Sequence, residues 1–139
     1  MDSRLDSIRN TFQALTGISG RHNRALREVR DWAAIAQQFL MTYHLYGTSD
    51  MGYLLDNIGE AKVELTRICY TARPLVKKAG NIKNVAIPPL MNELVEELES
   101  MRRALMNPTL REVKLPDIIS RVRVTSEKLQ DRLAETELK

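Results

Sequence analysis

Two histidines, one cysteine and two carboxylate pairs are the residues of this 139-residue chain whose chemistry could go beyond packing. His22 and His44 stand far apart, and neither forms the ExxH or HxxxH pairing that sets two ligands on one helix face. Without such a pair a di-metal centre has no ligand set, and no metal site is expected. His44 reads as a partly buried polar residue near a helix end, and His22 as a solvated one. Cys69 adjoins apolar Ile68 and has no histidine at catalytic spacing, which predicts a buried, inert thiol rather than a nucleophile.

Glu60 with Glu64, and Glu93 with Glu97, are carboxylates four apart. Acid–base catalysis needs such groups in a cleft that drives their pKa values apart. Both pairs lie off the apolar stripes described below, where a solvated helix face is the default. No GxxxxGK phosphate loop is present. The reading is therefore of a non-enzyme with no cofactor.

Basic residues offer a different chemistry. The net charge of +3 permits nucleic-acid binding without requiring it, so distribution matters more than the sum. Arg21, Arg24 and Arg27 stand at the start of one long apolar pattern, and Lys77, Lys78 and Lys83 follow the next, in a stretch without acids. If the two patterns fold as an antiparallel helical hairpin, these six residues meet at one end. Such a cluster neutralises DNA or RNA phosphates by counterion release and reads no bases. On the other reading, Glu93, Glu96, Glu97, Glu135 and Glu137 reach the same end and pair with the bases as weak surface contacts. No exposed aromatic interleaves the bases as a stacking platform would require.

The elements that must position these groups are helices. From His22 to Tyr46, Leu26, Val29, Ala33, Ala36, Leu40 and Tyr43 step three and four apart, the spacing of one helix face. Ala25, Trp32, Phe39 and Tyr46 widen that face along one edge. Ala34, Met41 and Leu45 lie to the other side as a second apolar line. They are the expected protein interface, unless another helix of the same chain covers them. A helix of some 25 residues spans about 37 Å.

Before it, Leu5, Ile8, Phe12 and Leu15 predict a short helix over 3–16, closed by Gly17 and Gly20. After it, Ser49 or Asp50 can cap a helix in which Met51, Leu54, Ile58, Ala61, Leu65, Ile68 and Ala72 turn inward. Gly52 and Gly59 weaken it locally. Pro74, Gly80 and Pro88-Pro89 mark a basic linker over 74–89. Met91, Leu94, Leu98, Met101 and Leu105 define the next helix, ended by Asn107-Pro108. Residues 109–115 are read either as a helical turn or as an extended piece. Pro116-Asp117 then starts a last helix with Ile119, Val122, Leu129 and Leu133 inward.

The fold class expected is all-α: an up-down antiparallel bundle of four long helices plus a short N-terminal helix. It forms one domain over 1–139, with an N-terminal helix and turn (1–20), a helical hairpin (21–73), the linker (74–89) and C-terminal helices (90–139). The single cysteine excludes an internal disulfide and fits a reducing compartment. The opening MDSRLDSIRN lacks the apolar core of a signal peptide, and no apolar run suits a membrane span. These features predict a soluble, intracellular protein, cytoplasmic or within a nucleoprotein particle. The function expected is that of a non-catalytic structural or adaptor subunit. It would associate with itself or with another protein, and the alternative is a binder of nucleic-acid backbone.

Overall fold

The computed structural model describes residues 18–46 and 51–139. The helix expected over 3–16 and the Gly47–Asp50 turn lie outside the described residues. Within them every regular element is helical: α1 (Ile18–Thr42), the short α2 (Gly52–Asp56), α3 (Ile58–Lys78), α4 (Ile87–Met106) and α5 (Pro108–Glu135), with a 3-10 turn at Ala79–Asn81. None is long and apolar enough to cross a membrane.

The stripe that predicts α1 is the core. Leu26, Val29, Ala33, Ala36, Leu40 and Tyr43 are all buried, with Ala25, Trp32 and Phe39 on the widened edge. The helix stops four residues earlier than its apolar pattern suggests. His44 takes a left-handed φ of 56°, and its N–H donates to the Met41 carbonyl at 3.1 Å while the Leu45 N–H donates to Leu40 at 2.8 Å. These paired bonds satisfy carbonyls that any helix end leaves open, in the Schellman arrangement. The motif turns Leu45 inward, so it and Leu40 are both fully buried.

The pattern expected to make one helix from Met51 to Ala72 is split at Asn57. That residue leaves helical geometry (φ −124°, ψ 33°), and its side-chain amide donates to the Tyr53 carbonyl at 2.8 Å. Beyond the split, α3 carries Ala61, Leu65, Ile68 and Ala72 inward and runs through Pro74 to Lys78. Proline removes one backbone donor. Here the carbonyl four residues back is that of Tyr70, and both residues are exposed, so the missing bond falls on the solvent-facing side of the helix. The linker therefore begins five residues later than the first proline implies. Pro88 and Pro89 fall in the first turn of α4, where they cost no bond. Met91, Leu94, Leu98, Met101 and Leu105 are fully buried.

Residues 109–115 are helical. Asn107 caps α5 by accepting the Thr109 and Leu110 N–H groups at 3.0 and 3.3 Å, with Pro108 at the first position. Pro116, expected to start the helix, sits exposed within it. Ile119, Val122, Leu129 and Leu133 are buried as their spacing predicts.

The long helices pack in a ring: α1 against α3 and α5, and α4 against the same two. Cross-links run in opposing register along the seams of α1. Glu28 pairs with Lys78 and Trp32 with Ile68 toward α3, while Arg30 meets Leu133 and Ala33 meets Gln130 toward α5.

Candidate interaction surfaces

Of the groups with reactive chemistry, His22 and Cys69 are buried, while His44, Glu60, Glu64 and Glu93 are exposed. His22, expected in solvent, is fully buried. Its Nδ1 accepts the Lys83 N–H at 2.8 Å and its Nε2 lies 2.8 Å from the Glu137 carbonyl, which can only accept. These partners fix the neutral imidazole with its proton on Nε2. The sequence signal was present, because His22, Leu26 and Val29 continue the four-and-three steps of the core face. His44 is exposed and stacks on the Tyr53 ring, with centroids 4.5 Å apart.

Cys69 is buried, and loss of hydration pushes its thiol up to about 11. A thiol so protonated at neutral pH is a poor nucleophile. Burial likewise raises the Glu97 carboxyl above the ordinary range, with like-charged Glu93 adding to it and a hydrogen bond from Thr125 opposing it. Glu93 itself is exposed. Among the described residues no three His, Cys, Asp or Glu side chains gather as metal ligands would.

The six bases come to one end of the molecule. Lys78 Nζ lies 3.0 Å from Glu28 Oε2, and the Lys83 backbone is tied to His22, so the end of α3 and the linker adjoin the start of α1. Arg21, Arg24, Arg27, Lys77, Lys78 and Lys83 are all exposed there. Arg24 and Arg27 line an open concavity of about 430 Å³ with Gly20, Asn23 and Glu28. Residues 136–139 cross the same end. Arg30 donates to the Leu133 carbonyl at 2.9 Å and to that of Thr136, Asn84 donates to Thr136 Oγ1 at 2.9 Å, and Lys139 N–H donates to Asn23 at 2.7 Å. Glu135 and Glu137 accordingly sit beside Lys83 and Lys139, around a concavity of about 330 Å³. The Arg132 guanidinium, with help from Asn84, holds the Glu135 carboxyl below the usual range. Glu93 instead lies with Lys128, Asp131 and Arg132 between α4 and α5.

The expected protein interface needs correcting at one of its three residues. Met41 is 53% exposed and Ala34 is exposed, but Leu45 belongs to the core, because the chain reverses at His44 before reaching it. Other large apolar side chains are exposed, Ile35 on the other flank of α1 and Val63 and Tyr70 on α3. Ile35, Val63 and Tyr70 are 59, 61 and 69% exposed. Between α1 and α3 runs a groove of about 310 Å³, floored by Phe39 and Ile68 and edged by Ile35, Gln38, Thr42, Glu64, Arg67 and Thr71. Val63 and Tyr70 stand seven apart, off the inward stripe of α3, a spacing legible in the sequence that its main stripe overshadows.

Comparison of the chain with protein-family models, with curated proteins and with solved structures finds no match.

Proposed function

We propose that this protein is a non-catalytic structural or adaptor subunit of a larger protein or nucleoprotein assembly, acting through helix-face packing. The observation that carries the reading is the groove between α1 and α3, floored by Phe39 and Ile68 and edged by the exposed side chain of Ile35. An exposed apolar groove rimmed by polar side chains marks an association site. The scaffold read behind it is an up-down antiparallel four-helix bundle, supported by the ring of contacts and the opposing register of the cross-links. An intracellular, soluble location goes with this reading. The test is purification from the native source. A stoichiometric complex or oligomer is expected, dissociating when Ile35 is changed to Asp. A folded variant that keeps the wild-type assembly rules the surface out.

A second reading, sequence-independent binding of a nucleic-acid backbone, is favoured by the convergence of Arg21, Arg24, Arg27, Lys77, Lys78 and Lys83. It requires affinity for generic DNA or RNA that falls steeply with salt, by a slope set by the number of phosphates engaged. Charge reversal at Arg24 and Arg27 should flatten that slope. Binding that is absent, or indifferent to salt, removes this reading.

A further inference from the structure

Tyr70 of α3 is 69% exposed, and it stands in a line of basic and polar residues. Lys62, Thr66, Tyr70, Arg73 and Lys77 step four, four, three and four apart, which sets all five on one flank of the helix. Lys62 is half-buried and the other four are exposed. The line is about 22 Å long at the helical rise. Glu60 and Glu64, the two acids of α3, lie on its other side, where both act on Tyr43 at the end of α1. The flank therefore carries cations, a hydroxyl and an aromatic ring without an acid among them. Contrary to expectation, an exposed aromatic does interleave bases, because Tyr70 joins Lys62, Arg73 and Lys77 only once the segment is wound into a helix.

The ring is open to a ligand. The Arg73 guanidinium lies 5.8 Å from the Tyr70 centroid, near the outer limit of a cation–π contact, so it borders the ring without closing it. Across the seam, α4 brings Glu99, Arg102 and Arg103 close enough to Cys69 to act on its thiol. The Glu99 carboxylate is already matched by Arg102 at 3.0 Å, while Arg103 is exposed. Lys77 also belongs to the basic end, beside Lys78, so the line runs into that cluster.

An open aromatic ring set between cations suits a ligand that is both flat and polyanionic. In a duplex each base is covered by its neighbours, whereas a single strand presents bases that can stack on a side chain. Such stacking tolerates any base, and the flanking cations take the phosphates. An acidic peptide would engage the cations but leave the ring unused.

We infer that the α3 flank from Lys62 to Lys77 is a binding site for single-stranded nucleic acid. One nucleobase stacks on Tyr70, with phosphates held by Lys62 on one side and by Arg73 and Lys77 on the other. The inference rests on the nucleic-acid reading given above, and it names the form of the ligand and the residue that selects it.

Fluorescence anisotropy with the full chain tests it, using a short labelled oligothymidine, the same strand annealed to oligoadenosine, and polyglutamate as competitor. The single strand should bind more tightly than the duplex. Tyr70→Ala should weaken single-strand binding by roughly 5- to 100-fold, the range of one lost stacked base. It should leave the salt slope unchanged, since stacking releases no counterions, and Tyr70→Trp should keep the affinity. Arg73→Gln with Lys77→Gln should weaken both forms and flatten the slope by about 0.7 for each single-strand phosphate lost. All these positions are exposed, so circular dichroism should be unaltered. Single-strand binding that survives Tyr70→Ala intact overturns the inference, as does a duplex bound equally well; either leaves the basic end as the nucleic-acid site. Polyglutamate that competes as well as oligothymidine also overturns it and points to an acidic protein partner. A wild type that binds neither form at low salt removes the nucleic-acid reading and this site together.

Discussion

The indole Nε1–H of Trp32 donates to the main-chain carbonyl of Ile68 at 3.0 Å, across the seam between α1 and α3. The same carbonyl accepts the Thr71 hydroxyl at 3.1 Å. A tryptophan in a helical core must find a partner for its one polar hydrogen, and here the partner lies in the neighbouring helix. Trp32→Phe keeps most of the ring and deletes that donor. It should lower stability by about 1 kcal/mol, the usual worth of such a bond, plus a smaller packing loss. Urea unfolding followed by circular dichroism reads the change. A variant as stable as the wild type would show that the bond adds nothing to this seam.

His22→Ala should cost about 1–3 kcal/mol, because it removes a buried side chain and the partner of both the Lys83 N–H and the Glu137 carbonyl at a part-buried contact. Amide hydrogen exchange at Lys83 is the local readout, and protection there should fall by more than tenfold. Unchanged exchange would mean that this end is held by Arg30 and Asn84 without the imidazole.

Asn107→Ala removes the one side-chain oxygen that accepts the Thr109 and Leu110 N–H groups and should destabilise by about 1 kcal/mol, with helicity lost first over 108–115. Residue-resolved NMR shifts in that stretch decide the point. Retained helix there would show that packing of Leu115 alone holds the turn.

Alkaline pH should unfold the protein before acid-sensitive groups matter. Burial, reinforced by Glu64, raises the Tyr43 phenol from 10.0 to about 12, and burial raises the Cys69 thiol from 9.0 to about 11. A group whose pKa is higher in the folded state leaves stability intact below its unfolded pKa and removes it as pH rises toward the folded one. Stability should therefore decline from about pH 9 for the thiol and from about pH 10 for the phenol. Tyr43→Phe should flatten the second part of that decline. A pH–stability profile that is level between 9 and 12 contradicts both assignments.

How much of this was legible beforehand depended on the kind of signal. The inward residues of α1, α3, α4 and α5 repeat at helical spacing, and burial follows that spacing because an apolar face has one favourable place to go. Prolines were ambiguous. Pro74 and Pro116 look like boundaries, yet both are exposed within helices, where the missing bond falls on the solvent-facing side. The end of α1 was hidden because its C-terminal turn uses His44 in a conformation usually left to glycine. That single residue put Leu45 in the core and removed it from the expected interface. The basic end required only that two helical segments adjoin, which the short connection between them already implied. The α1–α3 groove was harder, since it depends on how closely two helices approach, and Ile35 gives no hint of that on its own helix alone.

The contact of α1 with α5 carries a kinetic implication. Its bonds join residues about a hundred positions apart, such as Arg30 with Leu133 and His22 with Glu137. The contacts of α3 with α4, and of α4 with α5, join neighbours in the chain. Closing so long a loop carries an entropic penalty that short-range pairings avoid. The α1–α5 seam should thus zip up last during folding and gape first under stress. Transient exposure of the hidden apolar strip beneath it is the route by which this molecule would aggregate or exchange strands of helix with a neighbour.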